Sequence, residues 1–132
     1  MTKTQPISVL VVDDEPLLGA LSFVLLTEKG FQVSVAHSFT SALSVLKHSP
    51  IDVVITDVQM PHGSGIDLLC EINQMEGKKP AVFLASTFAK MSTDDSQRLG
   101  AVDFLDKPLN FDLLARKIVR AYRIRKSTRT LH

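Results

Sequence analysis

The chain holds one cysteine, Cys70, among 132 residues. A lone thiol makes no internal disulfide and binds no metal by itself, which fits a reducing, cytoplasmic setting. Long apolar runs are missing too. The longest is Ala81–Ala85, far short of the roughly 18–20 residues that a membrane span needs. The first residues, Met1 to Pro6, contain no apolar stretch, so the reading expects no secretory signal. Internal repeats and low-complexity segments are absent. With 45% hydrophobic and 22% charged residues, the composition excludes a disordered or collagen-like chain and suits one globular domain.

The net charge is +1, unevenly spread. Residues 112–132 carry seven Lys/Arg (Arg116, Lys117, Arg120, Arg123, Arg125, Lys126, Arg129) against Asp112 alone, which leaves a balance of −5 before them. Such a basic end is ordinarily a solvated helix face or a linker; contact with nucleic acid or an acidic partner is the sharper alternative.

Apolar patterning alternates between two periods. Ile7–Val12 is a short run rich in β-branched residues, as in a buried strand. Pro16–Lys29 has helical spacing at Leu17, Leu18, Leu21, Val24 and Leu25, with Pro16 suited to a first turn and Gly30 to the position after the last. Phe31–Val35 alternates like a strand. Ser38 is placed to cap a helix carrying Phe39, Ala42, Leu43 and Leu46, which Pro50 closes. Strands then follow at Ile51–Thr56, Ala81–Ala85 and Val102–Leu105, and helices at Ile66–Met75, Met91–Leu99 and Phe111 to about Arg125. The last helix should bury Leu114, Ile118 and Ala121 or Tyr122. Five strands alternating with five helices predict βαβ units around a parallel sheet.

Ligands of such sheets bind beyond the carboxyl ends of the strands. Those ends hold Asp13 and Asp14, then Asp57, then Ser86 and Thr87, then Lys107. A single aspartate there is ordinarily a turn residue or a helix cap. Three on one edge repel, and are stable as anions only with a cation between them. All-oxygen donors suit a hard ion, Mg²⁺ or Mn²⁺. A lysine and a hydroxyl nearby would complement the oxygens of a transferring phosphoryl group, with Asp57 as nucleophile.

These residues carry a resemblance. Asp13-Asp14-Glu15-Pro16, Asp57-Val58-Gln59-Met60-Pro61-His62-Gly63-Ser64-Gly65 and Gly100-Ala101-Val102-Asp103-Phe104-Leu105-Asp106-Lys107-Pro108 make the chain similar, from about Ile7 to Tyr122, to the receiver domain of two-component response regulators. The resemblance implies a flavodoxin-like (βα)5 doubly wound α/β sandwich, sheet order 2-1-3-4-5, over residues 1–126, with 127–132 as a basic tail or linker start. It implies that Asp57 takes a phosphoryl group from a sensor histidine kinase or phosphotransfer protein. Mg²⁺ would be held by Asp14 directly, Asp13 mainly through water, Asp57, and the carbonyl of Gln59. Lys107 would pair with the phosphate, and the Gln59 side chain would tune its lifetime.

The family also has a switch hydroxyl after the fourth strand and an aromatic switch in the fifth. Phe104 fills the second position, although a plain core aromatic fits it as well. For the first, the commonest spacing back from Lys107 lands on Ala85, which has no hydroxyl; a loop one residue shorter lands on Ser86, the preferred assignment, with Thr87 the alternative. Output would pass through the fourth helix, fifth strand and fifth helix to a downstream domain or protein, with a phosphorylation-dependent homodimer as one form. Neither nucleic acid nor membrane would be bound by the domain itself.

Two other classes compete. A phosphohydrolase with an aspartyl nucleophile needs a general acid two residues on, where Gln59 stands, and Gln59 cannot protonate a leaving group. A degenerate receiver acting only as a scaffold draws support from Ala85 and is opposed by Asp13, Asp14, Asp57 and Lys107. The run from Arg120 to Arg129 reads as a helix entering a linker, as in a piece of a longer regulator; no helix-turn-helix is expected within these residues. His37, His48, His62 and His132 show no metal spacing. Cys70, Met60, Met75 and Met91 read as packing residues.

Overall fold

A computed structural model describes residues 5–87 and 90–130, the side chains of 128–130 apart. His132, the side chain of Arg129 and residues 1–4 of the N-terminal stretch lie outside the described residues. The order is β1 (Ser8–Val12), α1 (Pro16–Glu28), β2 (Gln32–Ala36), α2 (Phe39–His48), β3 (Val53–Asp57), α3 (Gly65–Asn73), β4 (Ala81–Ser86), α4 (Thr93–Arg98), β5 (Asp103–Asp106) and α5 (Phe111–Thr130). All five strands are parallel, in the order β2-β1-β3-β4-β5. This is the predicted doubly wound sheet.

Successive side chains of a strand point to opposite faces, so each strand feeds two cores. Leu10, Val12, Val54, Val82 and Leu84 pack with Ala42 and Leu46 of α2 and Leu68, Leu69 and Ile72 of α3. Val9, Val11, Val53, Ile55, Phe83 and Ala85 pack with Leu26 of α1 and Leu114, Ile118 and Ala121 of α5. Fully burying one such Leu, Ile or Phe is worth about 1.5–3 kcal/mol. The continuous apolar strands follow from helices covering both faces.

Apart from shifts of one or two residues at element ends, such as those of β3, α3 and β5, the structure departs from the sequence reading in four places. First, α1 forms where expected but presents the other face. It buries Gly19, Ser22 and Leu26, while Leu17 is 82% exposed and Leu18, Leu21 and Val24 are also exposed. The sheet takes the small-residue face because a Cβ at Gly19 would stand 2.9 Å from Val35 Cγ1 and 3.2 Å from His37 Cε1. Second, α4 is shorter than Met91–Leu99, because Ser92 accepts from the amide of Asp95 and starts the helix two residues later. Third, α5 continues past the expected end near Arg125 to Thr130, and Lys126 on this stretch lies 5.7 Å from the Tyr122 ring centroid. Fourth, Cys70 is exposed on α3 rather than packed. Met60, Met75 and Met91 pack against the α2–α3 core as expected.

Candidate functional site

The strand ends bring the predicted residues together. Asp13 follows β1, and its amide donates to the carbonyl of Ala36 at 3.0 Å, extending the ladder by one step. Its Oδ1 accepts from the amide of Glu15 at 2.9 Å, which turns the chain into α1 at Pro16. Asp57 is the last residue of β3, not the first of the loop. The amide of Gln59 donates to Asp57 Oδ1 at 3.3 Å. The loop then returns at once: the amide of Gly65 donates to the carbonyl of Val58 at 2.9 Å, and a Cβ at Gly65 would lie 2.2 Å from the Asp57 carbonyl. Only glycine fits there. Ser64 and Asp67 form a capping box that starts α3.

Asp13, Asp14 and Asp57 each offer a carboxylate oxygen, and these oxygens lie within 4.8 Å of one another. Lys107 reaches in from beyond β5. Its Nζ is 2.6 Å from Asp13 Oδ2 and 3.3 Å from Asp57 Oδ2. Side-chain exposures of 10% for Lys107, 7% for Asp13 and 13% for Asp57 make this a largely dehydrated charge cluster. The amide of Lys107 donates to the carbonyl of Ser86 at 3.1 Å, and the Lys107–Pro108 peptide is cis.

The titration directions reveal which charges are compensated. Burial pushes the Asp57 carboxyl above its ordinary range, and the Lys107 ammonium only partly offsets this. Burial pulls Lys107 down, but the Asp13 carboxylate, then that of Asp57, outweigh it and hold the ammonium above its ordinary range. The two results agree with the distances, since Lys107 is spent mainly on Asp13. Three oxygen donors of one charge with one shared ammonium fit a hard divalent cation and fit soft metals poorly.

Ser86 is buried, and Thr87 beside it is exposed. Ser86 has the parity of Leu84 on β4, and Leu84 is paired with Phe104 in the β4–β5 register. Phe104 packs against the same core as Leu84. Ala85 has the opposite parity and packs in the α1–α5 core. Ser86 and Phe104 therefore share a face of the sheet, which Ala85 does not. Beside Lys107 a cleft of about 260 Å³ opens between α1 and the start of α5, walled by Leu18, Leu21, Leu109 and Phe111.

Sequence reasoning missed three contributors. His37 Nδ1 lies 3.0 Å from the Asp13 carbonyl, and Phe39 packs on Gly63; both contacts join segments distant in sequence and leave no local signal. Asp103 accepts from Thr93 Oγ1 at 2.6 Å, Lys117 Nζ at 2.7 Å and the Phe104 amide at 2.8 Å. It ties α4, β5 and α5 together. Burial alone would raise the Asp103 carboxyl, but Lys117 and Thr93 hold it below its ordinary range.

Known proteins agree with this geometry. A family model, the response regulator receiver domain, matches residues 9–119. The chain is 34% identical over 108 residues to the transcriptional regulatory protein MalR of Bacillus subtilis, covering 80% of this chain and 46% of that protein. It is 38% identical over 102 residues to the transcriptional regulatory protein CpxR of Klebsiella pneumoniae, covering 77% and 43%. The chain thus spans less than half the length of these relatives. Among solved structures, a response regulator receiver domain protein of Clostridium thermocellum superposes with a TM-score of 0.84 at 31% identity, over 92% of this chain and 98% of that one. A strand order of 2-1-3-4-5, an acidic cluster closed by Lys107, and a family match across most of the chain converge: this chain belongs to the response regulator receiver domains, the phosphoacceptor modules of two-component signalling.

Proposed function

We propose that Asp57 is the phosphoacceptor and that its modification resets the face formed by α4, β5 and α5. What carries the reading is Lys107 Nζ, 2.6 Å from Asp13 and 3.3 Å from Asp57, inside a cluster that also includes Asp14. A carboxylate oxygen of Asp57 attacks phosphorus, the bond from phosphorus to the donor's imidazole nitrogen breaks, and the leaving imidazole takes a proton. Asp13, Asp14, Asp57 and the carbonyl of Gln59 would hold Mg²⁺, or Mn²⁺, which when bound would supply positive charge to complement the phosphoryl oxygens. Lys107 supplies the second positive charge by moving from Asp13 toward the new phosphate. The domain is a signalling switch, and its catalysis extends only to its own phosphorylation and slow hydrolysis.

Donor and output sides are separate. The cleft beside Lys107, with the exposed leucines of α1 at its rim, suits a sensor histidine kinase or phosphotransfer protein. On the output side, Ser86 is the switch hydroxyl that follows the phosphate and Phe104 the aromatic that follows Ser86, supported by their common face. Asp103 links that movement to α4 and α5. A downstream domain or protein, or a second phosphorylated copy, would read this surface in the cytoplasm. No helix among the described residues is long and apolar enough to cross a membrane.

The test is mass spectrometry after incubation with acetyl phosphate. Wild type should gain one phosphate only with Mg²⁺ or Mn²⁺, and Asp57→Asn none. Undiminished labelling of the Asn variant would overturn the assignment.

A further inference from the structure

The sheet stops holding the two acidic loops together just below the site. The last paired residues of β1 and β3 are Val12 and Thr56. Beyond that rung, the segment with Asp13 and Asp14 has no ladder to Asp57, which ends β3, or to the loop that follows it. A third segment touches both.

That segment is the turn between β2 and α2. His37 Nδ1 lies 3.0 Å from the Asp13 carbonyl. A carbonyl only accepts, so Nδ1 carries the proton and donates. The imidazole has room because α1 carries no side chain at Gly19, where a Cβ would stand 3.2 Å from His37 Cε1. Two residues on, Phe39 lies against Gly63 in the loop after Asp57. A Cβ at Gly63 would be 2.7 Å from Phe39 Cβ and 2.8 Å from Cγ, and its φ of +139° favours glycine in any case. Between the two, Ser38 fixes the turn as N-cap of α2, accepting from the Ser41 amide at 3.1 Å. His37 and Phe39 are thus held at a set spacing, one against each acidic loop.

We propose that this turn is the spacer that sets the separation of the two acidic loops, with His37 and Phe39 as positioning residues for the divalent cation. The proposal rests on the reading of Asp13, Asp14 and Asp57 as a cation site. Mg²⁺ demands near-octahedral oxygen geometry at about 2.0–2.1 Å, so small changes in loop separation cost affinity. Neither residue touches the ion; each acts through the backbone of a loop that supplies its ligands.

The test measures Mg²⁺ affinity by titration calorimetry on the whole chain, at a temperature well below the melting point of every variant. Phe39→Ala should weaken Mg²⁺ binding about tenfold, the size of loss typical when residues that support metal ligands are removed. His37→Ala should weaken it in the same direction, and Phe39→Leu should recover most of the Phe39→Ala loss. Leu46→Ala is the control. It removes a side chain buried in the same core, further along α2 and away from the loops, and should lower the melting temperature with Mg²⁺ affinity unchanged. Wild-type affinity in Phe39→Ala overturns the proposal. So does an equal loss in Leu46→Ala, which would mean that any loosening of α2 is enough. A wild type that binds no Mg²⁺ overturns the cation reading, and the spacer role falls with it.

Discussion

Lys107 is closer to Asp13 than to Asp57, 2.6 Å against 3.3 Å. The ammonium at the centre of the cluster sits chiefly on Asp13. Asp57 is left the less compensated of the two, which is why burial dominates its titration. Phosphorylation of Asp57, as proposed, would bring new negative charge there and should draw the ammonium across.

Lys107→Met should therefore cost the resting fold stability, because it strips a buried carboxylate of its counter-ion. Breaking a buried pair from one side costs about 3–5 kcal/mol. Mg²⁺ should restore part of that loss by taking over the positive charge. The Lys107 pKa is raised on folding, so its contribution is fully present below its ordinary value of 10.5 and is lost as pH rises through the higher folded value. Urea unfolding with EDTA or with Mg²⁺ measures both effects. Equal midpoints for variant and wild type in EDTA would remove the bridge from the account.

Asp57→Asn should behave in the opposite way. The carboxyl is raised above its ordinary 3.8, so its favourable contribution is present below that value and is lost as pH rises through the folded pKa. At neutral pH the ionised group works against the metal-free fold, and the neutral amide should raise the melting temperature in EDTA. The difference should shrink as pH falls toward 3.8. A variant less stable than wild type at pH 7 would mean that the Lys107 contact outweighs burial.

Asp14→Ala should weaken Mg²⁺ binding by more than about tenfold, since even residues that only support ligands cost 10–100-fold. The metal-free fold should be no less stable, because one of three crowded carboxylates is gone. Metal titration and thermal melting together decide. Unchanged affinity would show that Asp14 is not a ligand.

Ser86→Ala should blunt the NMR shifts at Phe104 that the phosphate mimic beryllofluoride induces, and Thr87→Ala should leave them nearly intact. The ordering follows from Ser86 sharing a face with Phe104 while Thr87 is exposed. The reverse ordering would move the switch hydroxyl to Thr87. If neither variant matters, the domain switches without a hydroxyl after β4.

The sheet was legible because buried parallel strands are continuous apolar runs, such as Ala81 to Ala85, and because punctuation falls where the chain turns. The acidic cluster was legible because strand order places Asp13, Asp57 and Lys107 at one edge. The face of α1 was not: periodicity finds the largest apolar stripe, yet the distance between helix and sheet is set by the smallest residue, Gly19. The end of α5 was not legible either: the polar, basic residues after Lys126 read as the start of a linker, yet the helix runs on to Thr130. His37, Phe39 and Asp103 act across the fold, and nothing near them in sequence announces their partners.

The strand order has a consequence for amide exchange. Asp57 ends β3, the central strand, paired on both sides, whereas Lys107 follows β5, one of the two edge strands, paired on one side only. Amides of β3 should exchange only through global unfolding, and those of β5 through smaller, more frequent openings. Asp57 should thus be anchored in the slowest-exchanging strand of the sheet, and Lys107 beyond a faster-exchanging one. A change in their separation needs movement of the rim alone, at a free energy well below that of unfolding the domain.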